Sequence, residues 1–469
     1  MKKFFLLLAV MVCSMSIMTY AETTVTVTST GDNYTVIVDD VTLSGLTAVK
    51  QGDVNVIAVN DSNVQMILRF TDVNTLVADG ILNGADFHYA TAAAETFASQ
   101  FQLPNGDFEA WDAPTASGEP NFWHGFKSAT GGLAGWAKGT LGSSEDVRPG
   151  TTGTHSAVIK SGSTFGIINN GTMTNGRLNA SNMSADSPDN HSEMSSDVPN
   201  FYMALHAAPD AITTWLKFSQ KTANDDYPYS TLSAIAFDGT YYQDPEDHEY
   251  TNVAAKAKNN EIAVCDWSQL TIPFDYDTYA SNNAATNAIL ITVSTNATPG
   301  QGSNGDQVWI DDMALIYNGN VTNITATGLD GFTFDAATHD YIISYEGDPV
   351  TLTTDNFAVI ADGHAAIVVK NVTDLGDGSY RIALGAVSAD MVNSSLYTIT
   401  VNRQPDVVFE VGDINGDETV DVSDVNLMIN LILNKKTLAD CVTNPDLNGS
   451  GDVDVSDVNM LINIILHKN

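Results

Sequence analysis

Cysteine is almost missing from this chain of 469 residues; Cys13, Cys265 and Cys441 are all there is. Cys13 falls in the apolar N-terminal run, and the other two lie far apart. A disulfide framework is therefore excluded as the source of the fold, and no structural disulfide is expected. Basic residues are scarce as well: 19 Lys and Arg stand against 57 Asp and Glu, for a net charge of −38. A nucleic-acid partner requires the opposite sign, and an anionic membrane surface would repel such a chain. Beyond the N-terminal run no stretch is apolar for long enough to span a bilayer, so no membrane span is expected. The G-x-S-x-G, H-E-x-x-H and phosphate-loop patterns are also lacking, which leaves those chemistries without a motif.

What is present begins with Lys2 and Lys3, an apolar run from Phe4 to about Met18, and Thr19 and Ala21 placed for a cut before Glu22. This reads as a signal peptide over 1–21 and predicts a secreted, extracellular chain. Cys13 raises a lipid-anchor alternative. It is disfavoured because Val12 is larger than a lipobox takes and the apolar run continues past it. The remaining length suits about three or four domains.

The last sixty or so residues contain near copies of one segment. D-I-N-G-D-E-T-V-D-V-S-D runs from Asp413 to Asp424 and D-L-N-G-S-G-D-V-D-V-S-D from Asp446 to Asp457, each leading into an apolar helical stretch. Oxygen side chains fall at loop positions 1, 3, 5, 9 and 12: Asp413, Asn415, Asp417, Asp421 and Asp424, then Asp446, Asn448, Ser450, Asp454 and Asp457. The backbone carbonyls of Thr419 and Asp452 supply position 7. A twelve-residue loop with this spacing offers the oxygen shell that Ca²⁺ requires. So many carboxylates repel one another without a cation, so metal binding should contribute folding energy. Position 12 is Asp rather than Glu, no helical pattern precedes either loop, and Glu418 stands where Gly usually makes the turn. The first loop is therefore expected to be the more distorted.

Two such loop-then-helix units in tandem resemble a type I dockerin, here over 405–469. The resemblance implies a cohesin domain on a scaffold or cell surface as partner, as in cellulosome-like assemblies. It also implies that loop positions 10 and 11, Val422 with Ser423 and Val455 with Ser456, face that partner.

Residues 22–100 read as a small β domain, with strands near 24–28, 34–38, 54–59 and 64–70; 89–100 is either a short helix or a linker. The largest domain is expected over 101–318. Its N-G-D-F-E near the start (105–109) and V-W-I-D-D near the end (308–312) resemble jelly-roll carbohydrate-binding modules. With the F-W-H-G at 122–125 and the T-T-W-L-K-F at 213–218, the segment is similar to the carbohydrate metabolism domain (PCMD-like) of secreted Bacteroidetes proteins. That resemblance implies a polysaccharide or other glycan ligand. In jelly-roll modules carboxylates placed like Glu109 and Asp312 hold a structural Ca²⁺, which would be a third ion. Sugar recognition needs aromatic platforms, and Trp136, Tyr241 and Tyr242 sit in loop-like sequence. Hydrolysis would need two carboxylates across a cleft. The acidic run around Glu246 and Glu249 is the densest, Glu119, Glu145, Asp225 and Asp226 are further candidates, and no pair stands out.

Residues 319–404 carry about seven short strands, Phe332–Phe334 and 350–353 among them, and resemble the Ig-like or cadherin-like sandwiches of bacterial surface enzymes, with a spacing role. The expected protein is mainly β: a jelly-roll sandwich flanked by smaller β domains and ending in a small α-helical dockerin with two calcium loops. The expected function is glycan binding, because no carboxylate pair stands out; glycoside hydrolysis and structural adaptation are the alternatives.

Overall fold

The structure is a computed structural model that describes residues 23–115, 117–404 and 409–467. The expected signal peptide, Cys13 and the start of the expected linker after Gln404 lie outside the described residues. The described chain divides into two compact units. One runs to 343 and resumes over 350–401; the other comprises 344–349 and the chain from 402 onward.

The first unit opens with an antiparallel sheet of Val25–Thr30, Asn33–Val38 and Val41–Thr47. Here V-T-V-T alternation buries Val25 and Val27 and exposes Thr26 and Thr28. A five-stranded sheet of Val49–Gln51, Val54–Asn60, Val64–Phe70, Leu76–Leu82 and Ala85–Ala90 packs against it through Ile57, Val59, Met66 and Leu68. Residues 92–99 of the stretch left open between helix and linker form a helix, with Thr91 accepting from the Ala94 amide as its N-cap.

Val54–Asn60 shows no polar alternation because both of its faces are buried. Val54, Val56 and Ala58, with Ile67, meet Ile367, Val369, Ala383, Val387 and Met391 on the far side. Ile367, Val369, Ala383 and Val387 belong to a four-stranded sheet of Asp340–Tyr345, Ser394–Arg403, Ser379–Val387 and Ile367–Gly376, and Met391 lies in the connection between two of these strands. A two-stranded sheet of Val321–Ala326 and Phe357–Ala361 accompanies it. Polar groups at the contact are satisfied across it: the Asn60 side-chain amide donates to the Ile382 and Ile399 carbonyls. Phe332–Phe334 and 350–353, expected as strands, are not strands; the Phe332 and Phe334 rings instead pack edge-on against Tyr341 and Tyr397.

Between these segments in sequence lies the jelly-roll sandwich. One sheet has the order Cys265–Pro273, Ala211–Ser219, Gln307–Ile316, Ser156–Lys160, Thr140–Ser144. The facing sheet has the order Thr172–Thr174, Ala288–Ser294, Ser230–Phe237, Val253–Ile262. Ile159, Leu216, Ile310, Leu232, Ile291 and Val293 fill the space between them. The segment 103–111 makes turns rather than a first strand, yet it lies beside the last one, where the Met313 amide donates to the Gly106 carbonyl at 2.7 Å.

The second unit has helices Val422–Ile432 and Val455–His467, packed through Ile414, Val420, Val425, Met428, Val458 and Leu461. Among the described residues no helix is long and apolar enough to cross a membrane.

Candidate calcium loops and a sheet-floored groove

Each acidic loop is drawn together by its own backbone amides. Asp413 accepts from the Gly416 and Glu418 amides at 2.8 and 3.0 Å. Asp424 accepts from the Ile414, Asn415 and Asp421 amides. The second loop repeats this: Asp446 accepts from the Ser450 and Gly451 amides, and Asp457 from those of Asn448 and Asp454. Oxygens of Asp413, Asp417 and Asp424 lie within 4.8 Å of one another. Asp413, Asp424 and Asp457 are fully buried. Buried carboxylates that converge on amide donors alone carry uncompensated charge, which suits a hard cation. Asp421 caps the first helix by accepting from the Ser423 amide. Asn415 bonds Asp417 and Ser423, and Ser450 takes the place of the third-ligand Asp in the second loop. Thr419, Asp452 and Asp454 lie in the same loops. Val422 and Val455 are exposed at the helix starts, and Ser423 and Ser456 follow them.

The other candidate site is a groove of about 440 Å³ on the four-stranded sheet of the jelly roll. Its floor follows from strand alternation. In Ser230–Phe237, Leu232 and Ala234 point into the core, while Thr231 and Ser233 face the groove. Register aligns these polar residues into rungs: Thr172, Ser294 and Thr231 form one, and Thr292, Ser233 and Lys258 another. The Thr231 hydroxyl donates to Asn260 and the Ser233 hydroxyl to Asp244, both at 2.7 Å. The Thr292 hydroxyl oxygen is buried without a partner.

Trp136 and Phe165 form an aromatic wall, with ring centroids 5.7 Å apart and planes 36° apart. Both are exposed, at 57% and 77%. Trp136 ends a short turn of 3-10 helix whose base is tied to the neighbouring sheet by Leu133 and Ala180. Gly131 is required there, since a Cβ would lie 2.3 Å from the Ala180 carbonyl oxygen. Phe165 occupies the tip of the hairpin Gly162–Thr164 and Ile167–Asn169 with φ 51°, followed by Gly166 at φ 83°. A bulky side chain is rarely held in that left-handed region. The Thr164 hydroxyl donates to the Trp136 carbonyl at 2.6 Å, joining hairpin to turn.

Of the three aromatics singled out from sequence, Trp136 alone lines the groove. Tyr242 is buried in a strand and donates to Glu246, so its ring packs against Phe237 and Tyr250 rather than offering a face. Tyr241 is partly exposed outside the groove and donates to Gln243 and Glu193. Burial, followed by the Glu193 charge, pushes its hydroxyl pKa well up. Phe165 was missed; its one signal is a Phe-Gly pair where a tight hairpin normally takes Asn-Gly.

Glu109 and Asp312 do border one small recess, together with Asp107 and Arg148. Glu109 accepts from the Thr154 and His155 amides at 2.7 and 2.8 Å, and Asp312 is paired to the Arg148 guanidinium. The Arg148 guanidinium thus stands beside Asp312, one of the two carboxylates expected to hold a third ion. Asp244 is the one carboxylate among the groove-lining residues. Glu119 is spent on the Gly125 and Ser128 amides, and Glu246 on Lys256. Glu145, Asp225, Asp226 and Glu249 are exposed away from the groove.

Residues 411–466 match the dockerin type I domain family. Dockerin domains bind calcium and dock to cohesins, and the carboxylate cluster at Asp413, Asp417 and Asp424 fits that chemistry. No curated protein matches the chain. Among solved structures, a protein provisionally described as a glycoside hydrolase from Bacteroides thetaiotaomicron is 12% identical, with TM-score 0.34, over 61% of this chain and 86% of its own. SGBP-B from a complex xyloglucan utilization locus in Bacteroides uniformis is 10% identical, with TM-score 0.20, over 61% and 79%. The M60 catalytic domain with two CBM51 domains of Clostridium perfringens ZmpB is 9% identical, with TM-score 0.14, over 85% and 41%. At these TM-scores the likenesses decide neither fold nor function.

Proposed function

We propose that this protein is a secreted glycan-capture component, docked through its C-terminal domain to a cohesin on a scaffold or cell surface and serving polysaccharide capture or breakdown. The observation that carries the glycan reading is the Trp136–Phe165 wall over a floor of hydroxyls and amides. A pyranose has an apolar C–H face that stacks on aromatic rings and a rim of hydroxyls that needs polar partners. Hydrolysis is disfavoured because one carboxylate, Asp244, lines the groove, and acid–base cleavage of a glycosidic bond takes two.

In the docking domain each loop holds one Ca²⁺: Asp413, Asn415, Asp417, Thr419, Asp421 and Asp424 in the first, Asp446, Asn448, Ser450, Asp452, Asp454 and Asp457 in the second. Val422, Ser423, Val455 and Ser456 form the cohesin contact, two copies of one surface. A glycan array with a reducing-sugar assay on the full chain in Ca²⁺ tests the reading. Binding without product, lost on Trp136→Ala, is expected. Sugar release that vanishes in Asp244→Asn would replace capture with catalysis, and binding that persists in Trp136→Ala would move the site elsewhere.

A further inference from the structure

The charges that line the groove are already paired off. Lys258 and Asp244 are cation and anion to each other, with the ammonium 3.9 Å from Asp244 Oδ1, while Asp244 Oδ2 accepts from Ser233. His191 also lines the groove, but both ring nitrogens are engaged. Nδ1 lies 2.7 Å from the Pro188 carbonyl and Nε2 lies 3.5 Å from Glu193 Oε2. The remaining polar lining is uncharged, with Asn169, Asn170, Asn190, Asn260, Thr231 and Ser294 among it. The Thr292 hydroxyl oxygen lies buried in the groove floor and lacks a protein partner among the described residues.

We infer that the groove selects neutral glycan chains and rejects uronic-acid or sulfated ones, an inference that rests on the capture reading above. A ligand carboxylate or sulfate in this groove would lie near Asp244 with no unpaired cation to meet it, and burying an unpaired anion is costly. Discrimination built on a missing partner and a like charge is strong, because the wrong ligand loses more than the right one gains. The field of a chain with net charge −38 adds repulsion at longer range. Neutral sugars avoid both penalties, and side-chain amides both donate to and accept from their hydroxyls. The floor crosses four strands, about 14 Å at the usual strand spacing, so a run of several sugar rings fits better than a single one.

The test is an array of matched neutral and acidic oligosaccharides, including mannan, β-glucan and polygalacturonate fragments, probed with the full chain and with Trp136→Ala and Asp244→Asn. Expected are neutral hits that Trp136→Ala abolishes, acidic signals at least tenfold weaker, and a tenfold gain toward polygalacturonate fragments in Asp244→Asn, where Lys258 is released. Acidic hits that depend on Trp136 would overturn the charge selection and leave glycan capture standing. An Asp244→Asn protein with no gain for acidic chains would count against the pairing argument. Hits of neither class would overturn the capture reading and this inference with it.

Discussion

Phe165 is held in a backbone conformation that its side chain disfavours, at the tip of a hairpin, with three quarters of its surface exposed. Asn is at home in the left-handed region, so Phe165→Asn should keep or raise thermal stability, by up to about 1 kcal/mol. It should at the same time lower glycan affinity by at least about tenfold, as loss of a stacking face worth over 1 kcal/mol implies. A melt and an affinity gel on the same protein separate the two effects. Beside the groove, hydrogen bonding to His191, opposed by burial and aided by Arg177, holds the Glu193 carboxyl down at about 2. Burial works to lower His191, but bonding to Glu193 and the Pro188 carbonyl outweighs it and raises the imidazole. Glu193 thus contributes stability that is present above its unfolded pKa and lost as pH falls toward 2. His191 contributes stability that is present below its unfolded value of about 6.5 and lost as pH rises through the raised one. Both contributions are full between about pH 4.5 and 6.5. In Glu193→Gln the His191 titration, followed by NMR, should move down; an unmoved midpoint would mean the pair is not coupled.

The acidic loops were legible as elements because each is contiguous and repeated, so the order of their oxygen side chains needed no tertiary knowledge. Their strain was legible only in outline. Positions 4 and 6 take left-handed backbone in both loops, with Gly449 at φ 70° and Gly451 at φ 96° in the second, Gly416 at φ 78° and Glu418 at φ 67° in the first. The first loop therefore takes the same turn at higher cost. Glu418→Gly should stabilise that loop by about 1 kcal/mol, read as a tighter first calcium step by calorimetry. Chelation should unfold both helices, since Asp413, Asp417 and Asp424 would then face one another's charge in the first loop and the buried Asp457 would be left uncompensated in the second. Circular dichroism with added chelator would show the helical signal fall while the β signal remains. The strands expected at Phe332–Phe334 and 350–353 failed for a different reason. Alternating aromatics read as a strand, but Phe332 and Phe334 are placed by edge-on contacts with Tyr341 and Tyr397, which local pattern does not reveal.

At the scale of the molecule, Arg69 joins segments that are far apart in sequence. It is fully buried, donates to the Met391 and Val392 carbonyls and pairs with Asp79 at 2.6 Å. Arg69→Ala would strand those carbonyls and the carboxylate, at a cost of about 3 kcal/mol. Because Val54, Val56 and Ala58 pack directly on Ile367 and Ala383, the β-rich body should melt as a unit. A calorimetric trace in which the N-terminal sheets unfold well before the rest would refute that. By itself the sequence determined what depends on neighbours along the chain: the acidic loops with their helices, the β class, the deficit of cations, and Trp136 in a glycine-rich turn. Tertiary structure alone decided the groove, whose floor is assembled from strands well over a hundred residues apart, and the pairing that removes Lys258 and Asp244 as free charges. The same holds for the burial of Tyr242 and for the three-layer packing around Arg69. The physical reason is range. Loop ligation and strand alternation are set by residues within one turn or one strand of each other, whereas burial and charge pairing depend on which distant surfaces meet.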